Sequence, residues 1–123
     1  MSAIIMVVDD EELTRQLIGH FLTRAGYTVL EAANGREALK HLATVLPDLI
    51  IMDVLMPDID GFTTIRQIRA DPQTTHIPII FLSSRADVLA EHEGLLAGAQ
   101  RYLTKPLGLM NIVQEVQNLL GKT

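Results

Sequence analysis

No cysteine occurs among the 123 residues, which excludes a disulfide framework and any thiolate metal site. Aromatic side chains are scarce, two tyrosines and three phenylalanines, and ten basic residues are outnumbered by fifteen acidic ones. That balance is wrong for a phosphate-backbone binder, so no direct nucleic-acid binding is expected. No apolar run approaches the ~18 residues of a membrane span, so no membrane insertion is expected. The stretch Ala3 to Val8 lacks a basic flank and stops at Asp9, too short for a signal-peptide core. A soluble, cytoplasmic chain is the expectation. Linker-like composition, low-complexity segments and internal repeats are also missing, so residues 1–123 read as a single domain.

What is there is an alternation of short β-branched runs with stretches of helical period, five times over. The strand candidates are Ile4 to Val8, Thr28 to Glu31, Leu49 to Asp53, Ile77 to Leu82 and Arg101 to Leu103. The first, third and fourth are almost wholly apolar, as expected of parallel strands covered on both faces, and the second and fifth suit edges. Between them, Leu13, Leu17, Ile18, Phe21 and Leu22 share one helix face, ending at Ala25-Gly26. Asn34 and Glu37 read as a capping-box-like start for a helix that buries Ala38, Leu39, Leu42 and Ala43. Phe62, Ile65 and Ile68 give a third helix stopped near Asp71-Pro72. Val88, Leu95 and Leu96 give a less regular fourth, and Ile112, Val113, Val116, Leu119 and Leu120 a clear fifth. Right-handed crossovers then favour a three-layer α/β fold: a five-stranded parallel sheet of order 2-1-3-4-5, doubly wound and flavodoxin-like. Such a sheet opens its crevice beyond the C-terminal ends of the first and third strands.

Two sets of carboxylates stand at those ends, Asp9-Asp10-Glu11-Glu12 and Asp53. Capping of the next helix accounts equally well for Asp9 or Asp10 but not for Asp53, which ends a different buried strand. Like charges ~4 Å apart repel by roughly 4 kcal/mol at an effective dielectric of ~20, so converging carboxylates need compensation. Mg²⁺ suits such oxygen ligands and leaves positions for phosphate oxygens, while a proton shared between carboxylates is the competing solution. Ser83-Ser84 after the fourth strand and Lys105-Pro106 after the fifth bring a hydroxyl and a cation to the same edge. Singly these are ordinary turn and loop residues. Together with the acids they suit phosphoryl transfer, with Asp53 as nucleophile.

At this point the chain resembles the receiver domain of bacterial two-component response regulators, typified by the chemotaxis regulator (CheY-like). The resemblance covers essentially the full length. It rests on Val7-Val8-Asp9-Asp10, on Asp53-Val54-Leu55-Met56-Pro57 continuing to Asp60-Gly61, on Phe81-Leu82-Ser83-Ser84, and on Tyr102-Leu103-Thr104-Lys105-Pro106. It implies a signalling switch in which Asp53 takes a phosphoryl group from the phosphohistidine of a sensor histidine kinase or a histidine phosphotransfer protein. Such a switch is not an enzyme, although it catalyses its own Mg²⁺-dependent phosphorylation and slow dephosphorylation. It further implies that Asp10 binds Mg²⁺, or Mn²⁺ in its place, directly, Asp9 through water and Leu55 through its backbone carbonyl. Ser83 and Lys105 would contact the phosphoryl group, and Tyr102 would swing inward with Ser83. A cis Lys105-Pro106 bond is implied as well. So is an output to an effector protein or a second copy through the fourth helix, fifth strand and fifth helix.

Two positions depart from the commoner pattern. Leu55, two after Asp53, offers its carbonyl but cannot hydrogen-bond an attacking water, and Arg85, two after Ser83, stands near the phosphoryl entrance. Both point to slow loss of the phosphoryl group. Ser83 in place of the commoner Thr keeps the hydroxyl. Tyr102 has a second reading, as an amphipathic residue packed at a sheet edge. The alternatives for the whole chain are a phosphorylation-independent scaffold and an aspartate-nucleophile phosphatase of the haloacid-dehalogenase type. The phosphatase would need a carboxylate where Leu55 stands. His20, His41, His76 and His92 lack ligand spacing, no glycine-rich turn follows the first strand, and Gly121-Lys122-Thr123 lacks the glycine and helix of a phosphate-binding loop.

Overall fold

The computed structural model describes residues 2–56, 59–83, 88–105 and 108–121, without the side chains of residues 88 and 89. Five strands, β1 (Ile4–Val8), β2 (Thr28–Ala32), β3 (Leu49–Met52), β4 (Ile79–Ser83) and β5 (Arg101–Thr104), alternate with α1 (Glu12–Arg24), α2 (Gly35–Leu42), α3 (Gly61–Ala70), α4 (Val88–Ala97) and α5 (Leu109–Leu120). All pairings are parallel, in the order β2-β1-β3-β4-β5. The two less apolar strands are the edges, as their composition predicted.

Successive residues of a strand face opposite sides of the sheet, and this sorts the core into two layers. Ile5, Val7, Leu49, Ile51, Ile80 and Leu82 pack with Ile18 and Leu22 of α1 and with Ile112, Val113 and Val116 of α5. Met6, Val8, Ile50, Met52, Ile79 and Phe81 pack with residues of α2 and α3, including Ala38, Leu42, Phe62, Ile65 and Ile68. The central strands read as unbroken apolar runs because both faces are covered.

Several sequence expectations are corrected. β2, β4 and β5 each run one residue further than expected, β3 stops at Met52, and β4 begins at Ile79 rather than Ile77. Leu13 and Leu17 are 66% and 42% exposed, because the buried stripe of α1 is narrower and runs through Ile18 and Leu22. Ala43 is exposed and caps the C-terminus of α2 instead of packing under it. The largest difference is α4, where Leu95 and Leu96 point outward at 45% and 74% exposure. Its inward face carries Ala90 and Gly94, both buried, with Ala97 partly so. A Cβ on Gly94 would stand 2.8 Å from Tyr102 Cδ2 and 3.1 Å from Phe81 Cδ2, so the helix lies too close to those rings for a larger residue. The side chain of Val88 lies outside the described residues.

Helix starts follow local polar chemistry. Asn34 Oδ1 accepts the Glu37 N–H at 2.8 Å as expected, while the Glu37 carboxylate lies 3.6 Å from His41 Nε2. Asp60 Oδ1 likewise accepts the Thr63 N–H at 2.7 Å, capping α3. At α1 the capping position is Glu11, so neither Asp9 nor Asp10 serves as the helix cap.

Candidate functional site

The sheet register assembles the site. Val8 pairs with Met52, so the residues after them, Asp9 and Asp53, leave adjacent strands side by side. The Asp53 N–H donates to the Val8 carbonyl at 3.0 Å and the Asp9 N–H to the Ala32 carbonyl at 3.1 Å, extending the ladder into both residues. On the other side Ser83 pairs with Thr104, and the Lys105 N–H donates to the Ser83 carbonyl at 2.7 Å. One edge thus receives Asp9, Asp53, Ser83 and Lys105 from four strands.

Asp9 and Asp53 are buried, at 3% and 7% exposure, and Asp10 is exposed. Ligand oxygens of all three carboxylates lie within 4.8 Å of one another. The Lys105 ammonium bridges the two buried acids, 3.0 Å from Asp9 Oδ2 and 3.1 Å from Asp53 Oδ2. Their other oxygens accept main-chain hydrogens, Asp9 Oδ1 from Glu11 N at 2.9 Å and Asp53 Oδ1 from Leu55 N at 3.1 Å. Burial raises the Asp53 pKa above its ordinary value, and the Asp9 charge adds to this, outweighing the pull of Lys105 in the other direction. For Lys105, burial alone would lower the pKa, but the two carboxylates together overcome it and raise it. The pocket holds more negative charge than one ammonium neutralises. An all-oxygen donor set of this kind, two acids buried and one open to solvent, fits a hard divalent cation such as Mg²⁺ or Mn²⁺.

The remaining predicted residues fall around this centre. Ser83 is fully buried at the end of β4. Leu55 is 49% exposed beside Asp53, with its N–H on the Asp53 carboxylate. The Tyr102 ring is partly buried, edge-on to Phe81 at 6.1 Å between centroids, and Phe81 is in turn edge-on to Phe62 at 5.4 Å. Arg85 lies outside the described residues, as do Pro57, Ser84 and Pro106 of the sequence motifs and with it the Lys105-Pro106 bond. The histidines stay away from the centre: His20, His76 and His92 are exposed, and His41 contacts Glu31 and Glu37.

Two contributors escaped the sequence reading. A Cβ on Gly61 would meet the Asp53 carbonyl oxygen at 2.7 Å and Val54 Cα at 2.9 Å, so the start of α3 must be bare for the chain after Asp53 to pass. Asp60-Gly61 was visible as a motif, but nothing in the sequence said which backbone it passes. Arg15 donates from Nη1 to the Asp9 carbonyl oxygen at 2.8 Å and from Nε to Glu31 Oε1 at 2.8 Å. It sits on the polar side of an amphipathic helix, where arginine is ordinary.

Known proteins share this fold. A sequence profile of the response regulator receiver domain matches residues 5–117. Response regulator PleD of Caulobacter vibrioides is 40% identical over 119 residues, which is 97% of this chain but 26% of PleD, so the chain spans about a quarter of that relative. The chemotaxis protein CheY4 of Vibrio cholerae superposes with a TM-score of 0.91 at 35% identity, covering 96% of this chain and 98% of that one. The receiver domain of the sensor histidine kinase PA1611 from Pseudomonas aeruginosa superposes with a TM-score of 0.90 at 30% identity, over 99% and 100% of the two chains. That structure was solved with a magnesium ion coordinated in its active-site cleft. Receiver domains are phosphorylation-based switches that interact with histidine kinases and effectors and hold a divalent metal in an acidic pocket. With the strand order, the acidic edge and the profile match in agreement, this chain belongs to the response regulator receiver domain family.

Proposed function

We propose that residues 1–123 form one phosphoacceptor unit, in which Asp53 accepts a phosphoryl group from a histidine kinase or histidine phosphotransfer protein and signals by changing shape. The observation that carries this reading is the Lys105 ammonium shared between Asp9 and Asp53 at 3.0 and 3.1 Å, at the mouth of a three-carboxylate cluster. An Asp53 carboxylate oxygen attacks phosphorus, the P–N bond of the phosphohistidine breaks, and the imidazole nitrogen leaves with the electron pair. Asp9, Asp10, Asp53 and the Leu55 carbonyl would hold Mg²⁺, which when bound supplies positive charge to the equatorial phosphoryl oxygens. Lys105 supplies the second positive charge, exchanging one carboxylate partner for a phosphoryl oxygen. Ser83, at the end of the neighbouring strand, donates its hydroxyl to another of those oxygens. The Leu55 N–H holds the Asp53 carboxylate in orientation.

The output in this reading is a redistribution of Ser83, Tyr102 and the face formed by α4, β5 and α5, met by an effector or a second copy. Leu55 and Arg85 set a slow return: the aliphatic side chain of Leu55, exposed beside Asp53, has no group with which to hydrogen-bond an attacking water. Among the described residues no helix is long and apolar enough to cross a membrane. The proposed site of action is the cytoplasm, where a kinase's phosphoryl donor is made.

Intact-mass spectrometry after incubation with acetyl phosphate, with and without Mg²⁺, tests the proposal. A single Mg²⁺-dependent phosphoryl adduct, lost in Asp53→Ala, is expected. A folded wild-type chain that gains no adduct under any of these conditions refutes it.

A further inference from the structure

The Arg15 guanidinium ties together three segments beside the acidic pocket. It rises from the first turns of α1, donates to the Asp9 carbonyl oxygen at 2.8 Å, and donates to Glu31 Oε1, near the end of β2, at 2.8 Å. Its side chain is 14% exposed, so it is held in place rather than sampling solvent. The carbonyl it grips belongs to the peptide group that joins Asp9 to Asp10. That group is planar, so fixing its C=O direction fixes how the chain leaves Asp9 and enters Asp10. At its other end Asp9 is already fixed by its own N–H on the Ala32 carbonyl, 3.1 Å away. The Asp9-Asp10 step is thus held by β2 twice, directly through Ala32 and indirectly through Glu31 and Arg15.

We propose that Arg15, braced by Glu31, is a positioning residue for the acidic pocket: it sets the Asp9-Asp10 peptide plane and so the relative placement of the two carboxylates offered to a divalent cation. The proposal rests on the phosphoacceptor reading above. A role limited to pinning α1 against β2 accounts for the Nε bond to Glu31. It does not account for the Nη1 bond, which reaches beyond the strand end to the loop that carries the acids.

The sign of one measurement separates positioning from mere charge. A guanidinium near a cation site repels the cation, so if Arg15 acted only through its charge, removing it would tighten metal binding. If it acts by positioning, removing it weakens binding, in the range of about tenfold or more seen when groups that orient metal ligands are lost. Isothermal titration of the full chain with Mg²⁺ is therefore done on wild type, Arg15→Ala and Arg15→Lys, with folding checked by circular dichroism. Arg15→Ala is expected to weaken Mg²⁺ affinity by about tenfold. Arg15→Lys, which keeps the charge but offers one nitrogen in place of the rigid Nε and Nη1 fork, falls between it and wild type. At saturating Mg²⁺ the rate of acetyl phosphate uptake by Arg15→Ala returns close to the wild-type rate, because the defect lies in metal affinity. Unchanged or tighter Mg²⁺ binding overturns the proposal. If Arg15→Ala does not fold, Arg15→Lys decides by the same readout, since it keeps the positive charge and loses the two-pronged geometry: weaker binding supports positioning and unchanged binding refutes it. A wild-type chain that binds Mg²⁺ but takes no phosphoryl group refutes the phosphoacceptor reading alone, whereas one that binds no Mg²⁺ overturns both.

Discussion

Replacing Lys105 with methionine keeps most of the apolar stem and removes the charge, leaving Asp9 and Asp53 facing each other without the ammonium that bridges them at 3.0 and 3.1 Å. Each contact between unit charges ~4 Å apart is worth about 4 kcal/mol at an effective dielectric of ~20, so the gross loss is roughly 8 kcal/mol. Two effects reduce it. Burial already disfavours the charged ammonium, and Asp53, its pKa raised by burial, takes up a proton more readily once Lys105 is gone. A net loss of about 3 kcal/mol remains, at the lower end of what removing one partner of a buried ion pair costs. For a domain of this size that lowers Tm by about 10 °C. Urea denaturation of wild type and Lys105→Met, in chelator and again in millimolar Mg²⁺, measures it. In Mg²⁺ the difference shrinks by about half or more, because a bound cation stabilises the folded state and restores positive charge between the acids. A loss below about 1 kcal/mol in chelator, or an equal loss with and without Mg²⁺, refutes the electrostatic account of the pocket.

Three further outcomes are expected. Because the folded-state pKa of Asp53 is raised, the stability it permits is fully present below the ordinary carboxylate range and is lost as pH rises through the raised value. Asp53→Asn should therefore be more stable than wild type at neutral pH in chelator, and the gap should close on acidification, as read by urea midpoints. Gly61→Ala places a methyl 2.7 Å from the Asp53 carbonyl oxygen and 2.8 Å from Phe81 Cε1. Main chain cannot yield cheaply, so a loss of about 2 kcal/mol or more is expected in thermal melts. Arg69 donates from Nε and Nη2 to the Gly98 carbonyl at 3.1 and 2.8 Å and from Nη1 to that of Thr75 at 3.0 Å. Arg69→Ala should cost roughly 2–3 kcal/mol, and amide exchange around Gly98 and Gln100 should quicken.

The central sheet was legible because parallel strands covered on both faces announce themselves as Ile4 to Val8 and Leu49 to Met52 do, without polar alternation. The carboxylates were legible because they follow those runs directly. Helix faces were read less well. In α4 the eye goes to Leu95 and Leu96, yet the packing surface is Ala90 and Gly94, since a helix pressed against aromatic rings has room only for small residues. Leu13 and Leu17 misled in the same way, because hydrophobicity alone does not say where a sheet ends beneath a helix. Arg15 was invisible for a different reason. Its two partners lie 6 residues before it and 16 after it, one of them a main-chain oxygen, and unlike a helix cap such a bond across elements leaves no local side-chain pattern.

The seat of Gly94 against Tyr102 bears on how α4 can travel. The glycine makes a notch in the helix surface, and an aromatic edge sits in it, with 2.8 Å left where a methyl would go. The nearest small residues on that stripe are Ala97, three positions on, and Ala90, four back, about 4.5 and 6 Å along the axis. A shorter slide carries the notch away and presents a filled surface to the ring. Helix and ring are therefore geared: α4 slides by less than that spacing only if Tyr102 leaves its groove in the same motion, and a ring that stays put acts as a detent on the helix.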